Sequence, residues 1–326
     1  MRRLTIPLVA SAMAAALAAI YLMSPNPAPA PGTQSAGITL TLPLKPDSVR
    51  FAVVGDNGTA DSSENQIGDQ MQKAQQASKF NFVIMLADNL YVGASPRDFQ
   101  DRFERPYKAL LDRGVLFYAA LGNHDDSNEV SYVPFHMGGN RYYTHTEGNV
   151  EFFVLDTNYM DNTQLDWLQQ ELQKSQAAWK VAYFHHPLYS SGKTHGSSKD
   201  LRMVLEPIFE KYGVNAVFSG HDHIYERVNP QNGIQYFVVG ASGKLRNGDL
   251  KNDSMKAAGF DSDRSFMLAE ITGDDLYYQA ISRTGDTVDS GVFNRKVSAA
   301  NVHAAEAQTP AGFPGTTTSG GTPATK

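Results

Sequence analysis

Cysteine is absent from the 326 residues, which excludes disulfides, thiolate metal sites and cysteine nucleophiles. Metal ligation therefore falls to His, Asp, Glu, Asn or Tyr. An excess of positive charge is lacking too: 28 Lys and Arg stand against 34 Asp and Glu, a net charge of -6. Such a chain does not bind nucleic acid by bulk charge. Phosphate chemistry on it would need a local positive centre, which metal ions can supply. No second apolar run of membrane-spanning length follows the N-terminal one.

What the N-terminus does contain is a targeting pattern. Arg2 and Arg3 precede an apolar run from Leu4 to Met23, and Ser24 to Thr33 is rich in Pro, Ala and Gly. Residues 1–33 thus read as a signal peptide, with Ala28-Pro29-Ala30 as a small-residue cleavage site, or as a retained membrane anchor, because the run of about 20 residues approaches the length of a spanning helix. Either way the expectation is export, to the periplasm or as a secreted protein. No lipidation cysteine follows. Residues 298–326 are Ala, Thr, Gly and Pro with few large apolar side chains, and predict a disordered tail in which His303 is solvated. Between about 47 and 297 neither a linker nor an internal repeat interrupts the chain.

Within that stretch, short apolar strands alternate with helices. Strands are predicted over 50–54, 81–86, 115–121, 180–184 and 214–219, and helices over 65–78, 97–112, 164–176 and 199–212. Residues 140–146 and 149–157 read as a hairpin, and 235–239, 265–272 and 275–282 as antiparallel strands. The pattern predicts one α/β domain with mixed sheets.

Five of these strands end in candidate ligands: Asp56, Asp88, Asn123, His185, and His221 with His223. Residues i and i+2 of an extended segment share a face, so His221 and His223 can point into one pocket. Each motif alone has a plain explanation as a turn, a helix cap or a solvated loop. Together, at strand ends of like polarity, they predict a site in the crevice beyond the sheet edge. Two carboxylates, an amide and three imidazoles exceed one tetrahedral site and suit iron, zinc or manganese. A pair of metals sharing a carboxylate fits the count, and such a pair serves in-line displacement at phosphorus.

The series Gly55-Asp56-Asn57-Gly58, Asp88-Asn89-Leu90-Tyr91, Gly122-Asn123-His124-Asp125, His185-His186-Pro187 and Gly220-His221-Asp222-His223 resembles the calcineurin-like metallophosphoesterases. Tyr91, three residues after Asp88, is similar to the purple acid phosphatases, of the short tartrate-resistant type, and His195-Gly196 follows that type as well. The resemblance spans about residues 48–285. It implies a four-layer sandwich of two mixed β-sheets flanked by helices. It also implies a ferric iron held by Asp56, Asp88, Tyr91 and His223, and a divalent iron, zinc or manganese held by Asp88 as bridge, Asn123, His185 and His221. His124 and His195 match the two family histidines that position the phosphoryl group and protonate the leaving alkoxide. The implied reaction is acid hydrolysis of small-molecule phosphate monoesters by in-line attack of a metal-bound hydroxide.

Asp125 and Asp222 are expected either to orient histidine rings or to face solvent, and His186 to pack. Ala87 stands where the family has Gly before the bridging Asp, which predicts a local shift if φ is positive there. Phosphodiesterase or nucleotidase activity at the same site is the nearest rival. A surface metal-binding protein with a vestigial site is a more distant one. The protein phosphatases of the superfamily typically carry His rather than Tyr near these positions. Oligomeric state is not encoded in any pattern found.

Overall fold

The computed structural model describes residues 38–299. The expected signal peptide or anchor at residues 1–33, and all but the first two residues of the expected 298–326 tail, lie outside the described residues. Among the described residues, thirteen strands form two sheets: β1 Val49–Val54, β2 Phe82–Met85, β3 Leu116–Ala119, β4 Tyr143–Glu147, β5 Val150–Val154, β6 Trp179–Phe184, β7 Ala216–Ser219, β8 Tyr225–Val228, β9 Gln235–Val239, β10 Lys256–Phe260, β11 Ser265–Thr272, β12 Asp275–Ser282 and β13 Thr287–Asn294. The first sheet has the order β13-β12-β11-β1-β2-β3, and the second β10-β8-β9-β7-β6-β5-β4. In the first, β1, β2 and β3 run parallel. In the second, β5, β6, β7 and β9 do.

The inner faces of both sheets close on one aromatic core. Phe51 stacks on Phe82 at 5.2 Å and meets Phe152 edge-on at 5.4 Å, while Phe218 stacks on Phe237 at 5.1 Å. All five are fully or almost fully buried, and burial on this scale drives the sandwich together at roughly 2–3 kcal/mol per large side chain. On the outer face of the first sheet, α1 (Ser62–Ser78) seats Ile67, Met71 and Ala74 against Ala52, Val54 and Val83. On the outer face of the second, α2 (Asn162–Lys174) and α3 (Lys199–Tyr212) seat Leu168, Leu172, Leu205 and Phe209 against Phe153, Ala182 and Val217. The result is a helix–sheet–sheet–helix sandwich, the expected four layers.

Three local readings are corrected. Residues 97–112 do not make one helix. A turn over Pro96–Phe99 runs into a π-helical stretch, Gln100–Glu104, and helical structure resumes only at Lys108–Leu111. Pro106 is the reason: it has no N–H to continue the ladder, and the Arg105 N–H reaches back five residues to the Gln100 carbonyl at 3.0 Å. Strands β8, β10 and β13 are additional to those predicted. The β10 and β13 segments lie at sheet edges with mixed burial, so neither carries a buried apolar run. Finally, the packed chain begins before residue 47. Thr41 N–H donates to Gln279 Oε1 (2.9 Å), the Leu44 N–H to Glu270 (2.8 Å), and Leu42 is buried.

Candidate metal centre

Strands β1, β2, β3, β6 and β7 stop at the same end of the sandwich, and the residues after them meet. From the first sheet come Asp56, Asp88, Tyr91 and Asn123; from the second come His185, His221 and His223. Two glycines make the approach possible. A Cβ at Gly122 would stand 2.2 Å from Asp88 Oδ1, and one at Gly220 2.5 Å from Asp56 Oδ2.

The backbone is bent hard where it presents these side chains. Asp56, Ala87, Asp88 and His221 all have positive φ (53°, 77°, 49° and 69°). Left-handed conformations of non-glycine residues cost of order 1–3 kcal/mol each and persist where their surroundings over-determine them. Here the surroundings are explicit. Asp56 N–H donates to the Ala87 carbonyl (3.0 Å), and Asp56 Oδ2 accepts from His221 N–H (2.8 Å). The φ of Ala87 is thus positive, the condition on which the expected local shift rested, and Asp88 still lies among the other side chains of the site.

The donor atoms form two clusters that meet at Asp88. In one, Tyr91 Oη lies 3.2 Å from Asp56 Oδ1 and 3.4 Å from His223 Nε2, and His223 Nε2 is 3.3 Å from Asp56 Oδ1. In the other, His185 Nε2 lies 3.0 Å from Asn123 Oδ1, 3.1 Å from His221 Nδ1 and 3.4 Å from Asp88 Oδ1. His185 Nδ1 sits 3.1 Å from the Leu86 carbonyl. It must donate there, which leaves the Nε2 lone pair facing the cluster.

This donor set fits cations. Burial, then the neighbouring Asp88 charge, pushes the Asp56 carboxyl well above its usual range, and burial raises Asp88 as well. Burial and then the charges of Asp56 and Asp88 hold the Tyr91 phenol far above its ordinary value. The imidazoles are pushed the other way. Burial and the adjacent His185 lower His221 to about 2, burial and Arg246 lower His223 to about 4, and His185 falls well below 6.5 through burial and then His186. Neutral imidazoles and crowded oxygen donors 3.0–3.4 Å apart are what a metal ion would stabilise.

His124 and His195 stand exposed at the rim. The His124 ring is 4.9 Å from the Tyr91 ring, and the His124 backbone N–H donates to Asp88 Oδ1 (3.1 Å); the His195 ring is 4.1 Å from that of His221. Neither Asp125 nor Asp222 orients a histidine. Asp125 joins the loops after β2 and β3, accepting from Leu90 N–H (3.0 Å) and Gly122 N–H (2.9 Å). Asp222 is fully buried and holds the His195 loop, accepting from Ser190 Oγ and from Gly196 N–H (3.0 Å).

His186 is more than packing. Its Nδ1 meets Thr157 Oγ1 at 2.9 Å, and its ring lies 4.5 Å from that of His221, close enough for its nitrogen to group with those of His185 and His221. The His-His doublet was the available signal. His186 also borders a cleft of about 680 Å³ beside Asn123, walled by Arg141, Asn158 and Tyr159. His136 and His145 lie elsewhere: His145 is stacked between Tyr118 and Phe152 (3.8 and 4.6 Å) in the core.

Residues 49–225 match the family of calcineurin-like phosphoesterases. Purple acid phosphatase 17 of Arabidopsis thaliana is 28% identical over 275 residues, covering 72% of this chain and 81% of that protein. Tartrate-resistant acid phosphatase type 5 of Mus musculus is 27% identical over 237 residues, 60% of this chain and 72% of that one. Among solved structures, the purple acid phosphatase PPD1 from yellow lupin (Lupinus luteus) seeds superposes with a TM-score of 0.65 at 19% identity, over 78% of this chain and 55% of that chain. GAP50, the anchor in the inner membrane complex of Plasmodium, does so with a TM-score of 0.64 at 19% identity, over 79% and 94%.

Proposed function

The chain belongs to the calcineurin-like phosphoesterases, hydrolases that act on phosphate esters, and on that footing we propose that it is a binuclear acid phosphatase of the purple type cleaving small-molecule phosphate monoesters. One observation carries the proposal: Asp88 stands between two donor clusters, within 3.4 Å of His185 Nε2 on one side and against the Tyr91 hydroxyl on the other. In this reading Asp56, Asp88, Tyr91 and His223 hold a ferric iron. Asp88, Asn123, His185 and His221 hold a divalent iron, zinc or manganese. Bound there, two cations would supply Lewis-acid polarisation of the phosphoryl oxygens and a nucleophilic water.

The chain's own residues do the rest. Tyr91 contributes the hard anionic donor that favours the ferric state. His124 and His195, at the open rim, orient the phosphoryl group and return a proton to the departing alkoxide. Asp222 fixes the loop on which His195 rides. The cleft beside Asn123 and His186 gives the leaving group somewhere to lie.

The fold by itself does not settle catalysis, since it is shared with a protein described as an anchor; the complete donor set favours an enzyme over a vestigial site. A wide groove around Ser190–Ser198 would favour the phosphodiesterase rival; of that segment Ser190, Ser191, Gly192 and Gly196 are buried, and Lys193, Thr194 and His195 are exposed.

Metal analysis with visible absorption tests the proposal. Iron-loaded protein is expected to show a tyrosinate-to-iron band that Tyr91→Phe abolishes. Asp88→Ala is expected to lower metal content at both sites and cut monoester hydrolysis by at least 10³-fold. A fully loaded protein without phosphatase activity, with Asp88→Ala altering neither metal nor rate, would refute it.

A further inference from the structure

His185 and His186 are neighbours in the chain, yet their rings are set for different work. His185 gives its Nδ1–H to the Leu86 carbonyl (3.1 Å), which leaves the lone pair on Nε2, among the donor atoms. His186 is fixed the other way round by Thr157, a buried residue. Thr157 Oγ1 accepts the backbone N–H of His186 (3.2 Å) and lies 2.9 Å from the ring Nδ1. Among the described residues the hydroxyl meets no other group. Its one proton therefore goes to Nδ1, and the ring's own proton is on Nε2. A protonated Nε2 has no lone pair to give a cation. It donates a hydrogen bond instead.

That donor stands where the metal centre meets the cleft of about 680 Å³. The His186 ring is 4.5 Å from the ring of His221 and 5.0 Å from that of His185, and it lines the cleft beside Asn123. The guanidinium on the wall, Arg141, is neutralised, since its Nη1 pairs with Asp156 Oδ2 at 2.8 Å. The wall also carries acceptor oxygens on Asp126, whose carboxylate takes the Asn128 N–H (2.8 Å) and has lone pairs to spare. Exposed Tyr159 adds an aromatic side. An imidazole N–H, carboxylate oxygens and an aromatic face around one space suit a group that accepts and donates hydrogen bonds and has C–H surface. A hydroxylated alcohol is such a group.

We propose that His186 determines substrate choice: its Nε2–H holds a hydroxyl oxygen of the leaving alcohol, so that the enzyme favours monoesters of polyhydroxylated alcohols over those of plain ones. The inference rests on the phosphatase reading above. Thr157 is the positioning residue, because it decides which ring nitrogen carries the proton. Hydrolysis needs no further reactant. The oxygen of water bonds phosphorus, the ester P–O bond breaks with its electron pair on the alcohol oxygen, and a proton of that water completes the alcohol.

The experiment compares kcat/KM for glycerol 2-phosphate and isopropyl phosphate, esters of one carbon skeleton with and without hydroxyls. The proteins are metal-loaded wild type, His186→Phe, His186→Gln and Thr157→Val. In wild type the ratio is expected to favour the glycerol ester by about tenfold or more. It should fall about fivefold or more in His186→Phe and fall in Thr157→Val. His186→Gln, whose amide N–H can take the place of Nε2–H, should recover part of it. A wild-type ratio near one, a ratio unchanged in His186→Phe, or equal losses on both esters would overturn the proposal. Two readouts do not depend on turnover. In zinc-loaded protein, nitrogen NMR shifts of the His186 ring should show a protonated Nε2 and an unprotonated Nδ1, and His186→Phe should keep its zinc. The opposite tautomer, or loss of zinc, would make His186 a ligand and overturn the proposal. If wild type hydrolyses neither ester, the phosphatase reading fails while calorimetry still decides the pocket. Glycerol 2-phosphate should then bind tighter than isopropyl phosphate to wild type and no tighter to His186→Phe; equal affinities in wild type would overturn it.

Discussion

Ala87 carries a conformation that its side chain disfavours. Its φ of 77° lies where glycine is at home, yet its methyl is fully buried between the two sheets. Ala87→Gly would relieve about 1–2 kcal/mol of left-handed strain. It would also remove a buried methyl worth about 0.8 kcal/mol and loosen the unfolded chain by about 0.4–1 kcal/mol. The terms nearly cancel, so urea unfolding should show a change within about 1 kcal/mol. Ala87→Val adds a β-branched side chain at positive φ and should destabilise by more than about 2 kcal/mol. A valine variant as stable as wild type would show that the strain is not real. The residues whose placement could be read from sequence are those that terminate apolar strands, such as Asp56, Asn123 and His221. The part played by Asp222 could not be, because its bonds to Ser190 and to Gly196, 26 residues or more away in the chain, exist only in the folded molecule.

At the scale of elements, strands buried on both faces announced themselves by continuous apolar runs, and β1, β2, β3, β6 and β7 fall where that signal was strongest. The β10 and β13 edges carried no such run, and the 97–112 stripe looked helical because periodicity does not register Pro106. The β4–β5 hairpin packs across to β3 through His145, stacked between Tyr118 and Phe152, with Nε2 3.2 Å from the Tyr183 hydroxyl. Burial lowers its pKa to about 3. Below about pH 6.5 the unfolded chain therefore binds a proton that the folded hairpin refuses, and stability is lost steadily as pH falls toward 3. At pH 5 the loss from this one ring is about 2 kcal/mol. His145→Phe keeps the stack, and Tyr183 retains its bond to the Tyr118 carbonyl. Its unfolding free energy should drop less between pH 7 and pH 5 than that of wild type, by about 2 kcal/mol. Parallel pH dependences in denaturant titrations would contradict this.

For the molecule as a whole, the donor set matters because it is divided between the two sheets. Asp56, Asp88, Tyr91 and Asn123 come from one, His185, His221 and His223 from the other. Metals held by both would clamp the sandwich at the end where four strained residues and several buried charges accumulate. The opposite support, the phenylalanine core, needs no such clamp. Chelation should therefore act unevenly. The melting temperature should fall, since a ligand bound at a thousand times its Kd contributes about 4 kcal/mol. Amide exchange should accelerate most at 86–91, 122–126, 185–198 and 220–224, the segments that carry or brace the donors. Strands β11, β12 and β13 form an antiparallel ladder, with one register shift at Ala280–Ile281, and should keep their protection. Uniform acceleration over both groups would mean that the metals stabilise the fold globally rather than as a clamp. No change in either measurement would mean that the bent ligand loops are held by their own hydrogen bonds alone.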